Sequence, residues 1–371
     1  MSLENPRDSS RRSLAVQCCI VGGGPAGMML GYLLGRAGIR AVVLEKHADF
    51  FRDFRGDTVH PSTLQVMQEL GLLGDFLNFL ETKGADFPSL QVLKNTEAVE
   101  LVRDGSRIAG VVAKVPDGTL QISADLTVAC DGRHSIIREQ AGLKVENIGA
   151  PIDVLWFRVG KSKTDSDGIF ARLQRGQMMV TIDRDDYWQC AYVISKGKID
   201  DIKARGLDAF RDNVASLAPI LRSRISDVKS WDDVKLLTVR IDRLTRWALP
   251  GLLCIGDAAH AMSPVGGVGV NLAVQDAVAA ANLLFDKFSK GGPSLEDLER
   301  VQQRRLFPAR MTQTMQTVIQ DNIINRALSG EDLKPPLVAR LITAVPWLQG
   351  LTARLLGIGV RPEHVHSVQR P

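Results

Sequence analysis

The sequence predicts an α/β chain in which a dinucleotide-binding domain is joined to a second, antiparallel-sheet α+β domain, with helices at the C-terminus. Three observations carry that reading. A strand, a glycine turn, a helix and a second strand run through residues 18–46, CCIVGGGPAGMMLGYLLGRAGIRAVVLEK. From 151 to about 240 the texture changes to short alternating strands. From 247 a tight apolar strand, an acidic turn, a glycine loop and a long helix return to the first style. The implied layout is a nucleotide-binding part over 14–150, an antiparallel unit over 151–240, a return to the first part over 241–330 and a helical tail over 331–371.

The opening unit is justified residue by residue. Leu14–Val21 is a short apolar run with β-branched residues, so it reads as a buried strand. Gly22, Gly24 and Gly27 fit the G-x-G-x-x-G pattern of a Rossmann-type turn. The first allows the sharp turn, the second lets backbone approach a pyrophosphate, and the third lets the helix pack closely on the strand. Pro25 and Ala26 open the helix, where a missing N–H costs nothing. Its free N–H groups and partial positive charge face the phosphates. Gly38 suits the C-terminal end of that helix. Ala41–Leu44 is the second strand, and Glu45 ends it with a carboxylate that can accept from a ribose diol.

Residues 47–60 look like a loop carrying Arg52 and Arg55, and 61–73 and 75–83 look helical. Residues 90–94 and 99–103 are strand-like, and DGSR (104–107) is a turn. Ile108–Val115 and Thr119–Val128 alternate as a hairpin. In the second unit DVLWFRV, GIFARLQ, QMMVTIDR and YWQCAYVI read as strands, and 207–225 as one helix. Helices follow from about Val270 to Phe288 and over 294–328. The tail over 335–371 suggests a helical pair packed on the body, with an interfacial, membrane-touching helix as the alternative.

Composition bounds the class. The chain has 371 residues, 45% apolar and 24% charged, the make-up of an ordinary globular protein large enough for two domains. A net charge of +4 with no long Lys/Arg run argues against nucleic acid as a partner. Five cysteines (Cys18, Cys19, Cys130, Cys190 and Cys254) lie in apolar runs without C-x-x-C spacing. Buried thiols in a reducing cytoplasm are the simplest account. The polar start MSLENPRDSSRRS is not a secretory signal and reads as a disordered leader. No run of 18 uninterrupted apolar residues is present, so no transmembrane helix is expected. No metal-ligand spacing is evident.

Two further stretches carry chemistry. In TVACDGRHSIIR (127–138) a strand ends at Asp131-Gly132, with Ser135 and Arg138 beyond. In GLLCIGDAAHAMSPVGGVGVNLAVQDA (251–277) Gly256-Asp257 follows a strand, and Gly266, Gly267 and Gly269 precede a helix. Each alone reads as a turn. Together and in this order they resemble the group A flavin monooxygenases, the para-hydroxybenzoate hydroxylase family. The match covers most of the chain.

The resemblance implies a Rossmann-type FAD-binding domain. Gly22, Gly24, Pro25, Ala26, Gly27, Glu45 and Lys46 would hold the ADP half of FAD, and Arg55 would lie near the pyrophosphate. Asp131 and Gly132 match a motif associated with both FAD and the nicotinamide cofactor. Gly256 and Asp257 match the turn that binds the ribityl or phosphate-bridging part. Pro264, Gly267, Val268, Gly269, Val270 and Asn271 match the loop beside the flavin ring. A helix starting near Gly269 would also aim its N–H groups at the anionic edge of a reduced flavin. No second G-x-G-x-x-G is present, so NAD(P)H would visit transiently rather than hold a site of its own.

The resemblance further implies that NAD(P)H reduces FAD and that a C4a-hydroperoxide, formed with O₂, hydroxylates an aromatic or quinone-precursor molecule. A homodimer is implied as well. Pro264, Tyr187 and Gln189 are the candidate catalytic or pocket-lining residues. Tyr187 and Gln189 share one face of their strand and Trp188 lies on the other; plain sheet packing accounts for all three equally well. His60 and His260 lie in motif regions, and no catalytic base is readable. One departure stands out. Relatives carry a long excursion after the helix matching 61–73, whereas here GLLG runs straight into DFLNFLE (71–81). A reduced pocket wall keeps two alternatives open. One is a flavin dehydrogenase, reductase or NAD(P)H oxidase. The other is an FAD-binding protein without turnover.

Overall fold

The computed structural model describes residues 11–49, 63, 66, 82, 84–174, 176–324, 328 and 358–366. The helices predicted at 61–73 and 75–83, most of the tail, and the departure near residue 74 lie outside these. β1 (Arg11–Val21), α1 (Pro25–Arg36) and β2 (Ala41–Leu44) form the opening unit. β1 and β2 pair in parallel, from Cys18 opposite Ala41 to Val21 opposite Leu44. Every residue of β2 is buried, the pattern of a strand covered on both faces. α1 ends in a two-bond Schellman turn. Gly38, at φ +75°, donates its N–H to the Gly35 carbonyl, and Ile39 donates to that of Leu34. Glycines let α1 lie close on the sheet. A Cβ at Gly27 would stand 2.0 Å from the Gly22 carbonyl oxygen, and one at Gly31 would stand 2.6 Å from Val43 Cγ2.

β3 (Leu90–Leu93) adds in parallel to β2. β4 (Glu97–Asp104), β5 (Arg107–Val115) and β6 (Gly118–Ala129) form an antiparallel meander. β6 also runs parallel beside the whole of β1, from Arg11 opposite Thr119 to Val21 opposite Ala129. Residues 11–13, expected to belong to a disordered leader, are therefore strand: their backbone is paired by β6. α2 (Ile136–Gln140) and β7 (Val145–Asn147) follow.

The second sheet contains β8 (Ile152–Gly160), β9 (Ile169–Gln174), β10 (Gln177–Asp183), β11 (Tyr187–Ser195) and β12 (Lys235–Leu237). It is antiparallel, in the order β12-β8-β11-β10-β9. α3 (Ile199–Ala204) and α4 (Leu207–Leu217) lie between β11 and β12. Phe157, Trp188, Cys190 and Tyr192 pack with Phe210 and Val214 of α4 on one face. Trp156, Ile182, Ala191 and Val193 pack with Leu237, Val265 and Ile319 on the other. α4 is shorter than the single helix expected over 207–225. Pro219 lacks an N–H and pushes Ala218 to φ −128° and ψ 83°, so the chain breaks into 3-10 turns.

β13 (Asp242–Leu244), β14 (Ala248–Leu249), β15 (Leu252–Cys254), β16 (His260–Ala261), α5 (Gly269–Leu284) and α6 (Leu295–Ile319) complete the order, and a π-turn over Gln320–Ile324 continues α6. β15 returns to the first sheet in parallel with β6. That sheet has eight strands along the path β14-β15-β6-β1-β2-β3, with the β4–β5 hairpin beside β6. β7, β13 and β16 form a small third sheet that the sequence pattern did not predict. Val265–Lys290 is long and apolar enough to cross a membrane, but 67% of its apolar window is buried inside the fold. α5 is thus a core helix.

The approach of α1 to β1 generates a test. Gly27→Ala should lower stability in urea unfolding by roughly 2–3 kcal/mol, because the new methyl meets backbone that cannot yield. Gly105→Ala, whose Cβ meets nothing, should cost only about 1 kcal/mol from its positive φ. Equal losses would refute the packing argument.

Candidate functional site

β15, β6, β1 and β2 lie side by side and parallel, so their C-terminal ends emerge along one edge of the sheet. Ligands of open α/β sheets bind at that edge. Each strand there runs into one of the singled-out stretches: Gly22–Ala26 after β1, Glu45–His47 after β2, Cys130–His134 after β6 and Ile255–Asp257 after β15. All four border one cavity of about 550 Å³. The loop leading into α5 closes another side through Ser263, Pro264, Gly267 and Gly269, and Leu237 reaches it from β12 of the second sheet.

The polar groups around this cavity are arranged for an elongated anion. α1 and α5 both begin at it, and neither has a side-chain cap or an acid in its first turn. α6 and α2, by contrast, are capped by Ser294 and Ser135. The N–H of Ala26, behind Pro25 in α1, and those of Gly269 and Val270 in α5 therefore have no side-chain cap and face a ligand. A Cβ at Gly24 would meet no atom within 4 Å, so backbone lies bare toward the cavity. Gly22, at φ +106°, could not carry a side chain: its Cβ would stand 2.5 Å from the Cys130 carbonyl oxygen.

Three acids supply acceptors. The buried Glu45 accepts the N–H of Gly23 and of His47, each at 3.0 Å, which fixes its carboxylate at the rim. Asp131 accepts the Ile137 N–H through Oδ2 at 3.3 Å, and its buried Oδ1 has no partner. Burial pushes its carboxyl above the ordinary range, against the pull of Ser135 and nearby backbone N–H groups. Arg133 donates from Nη2 to Asp257 Oδ2 at 3.1 Å, while its buried Nη1 has no partner. An unpaired acceptor and an unpaired cationic donor, both at the cavity wall, are what a ligand with hydroxyls and phosphates would satisfy. The residues present fit FAD.

Of the residues singled out from sequence, Gly22, Gly24, Pro25, Ala26, Glu45, Lys46, Asp131, Gly132, Asp257, Pro264, Gly267, Gly269 and Val270 all line the cavity. Gly27 lies behind it, in the contact of α1 with the Gly22 turn. Gly256 is buried between helices, its Cβ position 3.3 Å from the Cβ atoms of Ala26 and Ala273. Val268 and Asn271 are buried in the first turn of α5. Asn271 accepts from Thr63 Oγ1 at 2.6 Å and donates to the Gly267 carbonyl, shaping the loop from inside. Arg55 lies outside the described residues.

Tyr187 and Gln189 do not line the cavity. They share a face of β11 as expected, but β11 is third in the sheet, behind β12 and β8. Gln189 is buried and accepts from Arg184 Nε at 2.9 Å, and Tyr187 lies under the Arg158 guanidinium. From the second sheet it is Leu237 of the edge strand that lines the cavity. Sequence reasoning also missed Arg133, although it follows Asp131-Gly132 directly. His47, Thr96 and Glu97 were missed as well; Thr96 lies in the β3–β4 connection and Glu97 opens β4, where no local signal marks them.

The profile of the FAD binding domain family matches residues 15–79 and 74–315. The two segments meet where GLLG runs into DFLNFLE. A 6-methylpretetramide 4-monooxygenase from Streptomyces rimosus is 27% identical over 382 residues, covering 91% of this chain and 91% of that protein. Two solved structures share the fold. The anhydrotetracycline hydroxylase OxyS from Streptomyces rimosus superposes with a TM-score of 0.70 at 18% identity, over 93% of this chain and 76% of that one. The Diels-Alderase PyrE3 of pyrroindomycin biosynthesis superposes with a TM-score of 0.73 at 20% identity, over 95% and 81%.

Asp131 makes a prediction with a sign. Its folded carboxyl titrates above the ordinary 3.8, so stability is fully present below that value and is lost as pH rises through the raised one. Asp131→Asn should therefore raise the melting temperature of the FAD-free protein at pH 7 but not at acid pH. It should weaken FAD roughly tenfold in a titration. A variant less stable at neutral pH, or unchanged in FAD affinity, contradicts the assignment.

Proposed function

The chain belongs to the FAD binding domain family, and from that premise we propose that it is an FAD-dependent monooxygenase that hydroxylates an aromatic small molecule with NAD(P)H and O₂. The observation that carries this reading is the convergence of two uncapped helix N-termini and the carboxylates of Glu45, Asp131 and Asp257 on one cavity. The bound flavin supplies the redox chemistry: electrons from NAD(P)H let one oxygen atom of O₂ enter the substrate while the other leaves as water.

The chain's own residues bind, orient and shield. Gly24 and Ala26 hold the pyrophosphate through backbone N–H groups at the start of α1, while Gly22, whose own N–H is donated to the Leu44 carbonyl, and Pro25 shape the turn. Glu45 and Lys46 hold the adenosine end. Asp131, Arg133 and Asp257 hold the middle, with the cation balancing the acid beside the phosphates. Pro264 through Asn271 form the bed of the flavin ring, where the N-terminus of α5 favours negative charge on the reduced cofactor. Leu237 and the second sheet stand over this end, so the substrate enters between them and the glycine loop and water is kept out. Relatives whose names specify polycyclic aromatic substrates support the substrate class.

A second reading has its own support. The family match falls into two segments that overlap at residues 74–79, where the resemblance implies a longer excursion than this chain has, and the same fold occurs in a Diels-Alderase. On that reading flavin is a structural element and the chain turns over without consuming reductant. Three measurements on the purified protein decide the matter. It should be yellow with bound FAD, and it should oxidise NADH or NADPH in air. A panel of phenols and quinone precursors should contain one that accelerates this oxidation at least tenfold and leaves hydroxylated. Bound FAD with no reductant consumption under any of them favours the second reading, and colourless folded protein that refuses FAD removes both.

A further inference from the structure

Behind the Gly256–Asp257 turn lies a buried ionic cluster that the cavity does not touch. Asp276, on the inner side of α5, is fully buried. Its Oδ2 accepts the N–H of Gly256 at 3.0 Å and lies 2.6 Å from His260 Nε2. Its Oδ1 accepts from Arg305 Nε of α6 at 2.9 Å. Arg305 is 1% exposed and donates onward from Nη1 to Glu363 Oε1 at 3.4 Å and to the Arg361 carbonyl at 3.3 Å. Glu363 also accepts from Arg304 Nε at 2.7 Å. Its segment, 358–366, is pinned to α5 by Asn282, which donates to the His364 carbonyl and accepts the His366 N–H. One carboxylate thus joins the turn, α6 and a stretch of chain about a hundred residues downstream.

Stability alone does not account for this arrangement. Buried ion pairs often do no better than well-packed apolar groups, because desolvation offsets the attraction. Asp276 nonetheless remains ionised. Burial raises its carboxyl, but His260 and Arg305 together bring it below the ordinary range. An apolar residue could not accept the Gly256 N–H. Gly256 sits at φ +60° between Ala26 and Ala273, so no side chain of its own can steady the turn. Fixing its amide sets the peptide from which Asp257 points toward the cavity and Arg133.

We propose that Asp276 is a positioning residue for the cofactor turn and that the 358–366 segment, acting through Glu363 and Arg305, is the brace that holds Asp276 in place. This rests on the flavin reading for its purpose and on the hydrogen-bond geometry for its mechanism. The segment far downstream then becomes part of the flavin site without touching it.

The test uses the full-length chain with Glu363→Gln, which keeps the shape of the brace and removes its charge, and with Asp276→Asn. FAD dissociation constants are measured well below the melting temperature of each variant. Glu363→Gln should weaken FAD threefold to tenfold, and Asp276→Asn tenfold or more. Hydrogen exchange of the peptide containing Gly256, followed without FAD, should accelerate roughly tenfold in Glu363→Gln. Lower melting temperatures with unchanged FAD affinity and unchanged exchange at Gly256 would mean a merely structural cluster and overturn the proposal. If Asp276→Asn does not fold, Glu363→Gln decides. If the wild type itself refuses FAD, the flavin reading fails, and the exchange measurement still decides whether the brace exists.

Discussion

The close approach of α1 and α5 over Gly256 is the constraint on which the rest of the structure depends. A single methyl group at that position would press on Ala26 and Ala273 together. The approach brings two helix N-termini to one cavity, and each arrives without a side-chain cap. Bare N–H groups are costly to bury and cheap to leave where an anion will complete them. The parallel strands behind set the spacing, since β15, β6 and β1 deliver their turns to the same edge in consecutive positions. Each of α2, α3, α4 and α6 has an acid in its first turn, and α2 and α6 are also capped by Ser135 and Ser294, whereas α1 and α5 have neither. The contrast separates ends built for stability from ends built for a ligand.

How much of this was legible in the sequence depended on how local its cause was. The opening strand, turn and helix were readable because glycine spacing, the position of Pro25 and the acid at 45 are all consequences of short-range geometry. The start of α5 at Gly269 was readable for the same reason. Pro219 was visible as a letter, but the apolar periodicity across it hid the break it makes. The three-stranded sheet of β7, β13 and β16 was hidden because strands of two or three residues leave no period to detect.

The site was legible on its backbone side and opaque where it depends on long-range placement. Glycine turns announce themselves, whereas Leu237 enters the cavity only because β12 pairs at the edge of the second sheet. No neighbour of Leu237 in sequence hints at that. Tyr187 and Gln189 lie outside the cavity for the converse reason: their alternation is as expected, but alternation says nothing of a strand's place in the sheet. Arg133 is intermediate, since its neighbours mark a motif while its partner Asp257 lies far along the chain.

The thiols carry a consequence of a different kind. All five are free, and burial is the first cause raising each, with Cys19 pushed up to about 12. Cys130 is the one that forms part of the cavity wall, and its neighbour Asp131 raises it further. Sulfur reacts with peroxide as the thiolate, so a sulfhydryl kept protonated is a slow target. A chamber in which reduced flavin meets oxygen leaks peroxide whenever transfer to substrate fails. On the proposed reading, the one thiol in the cavity wall, Cys130, is held in the form that such peroxide attacks slowly.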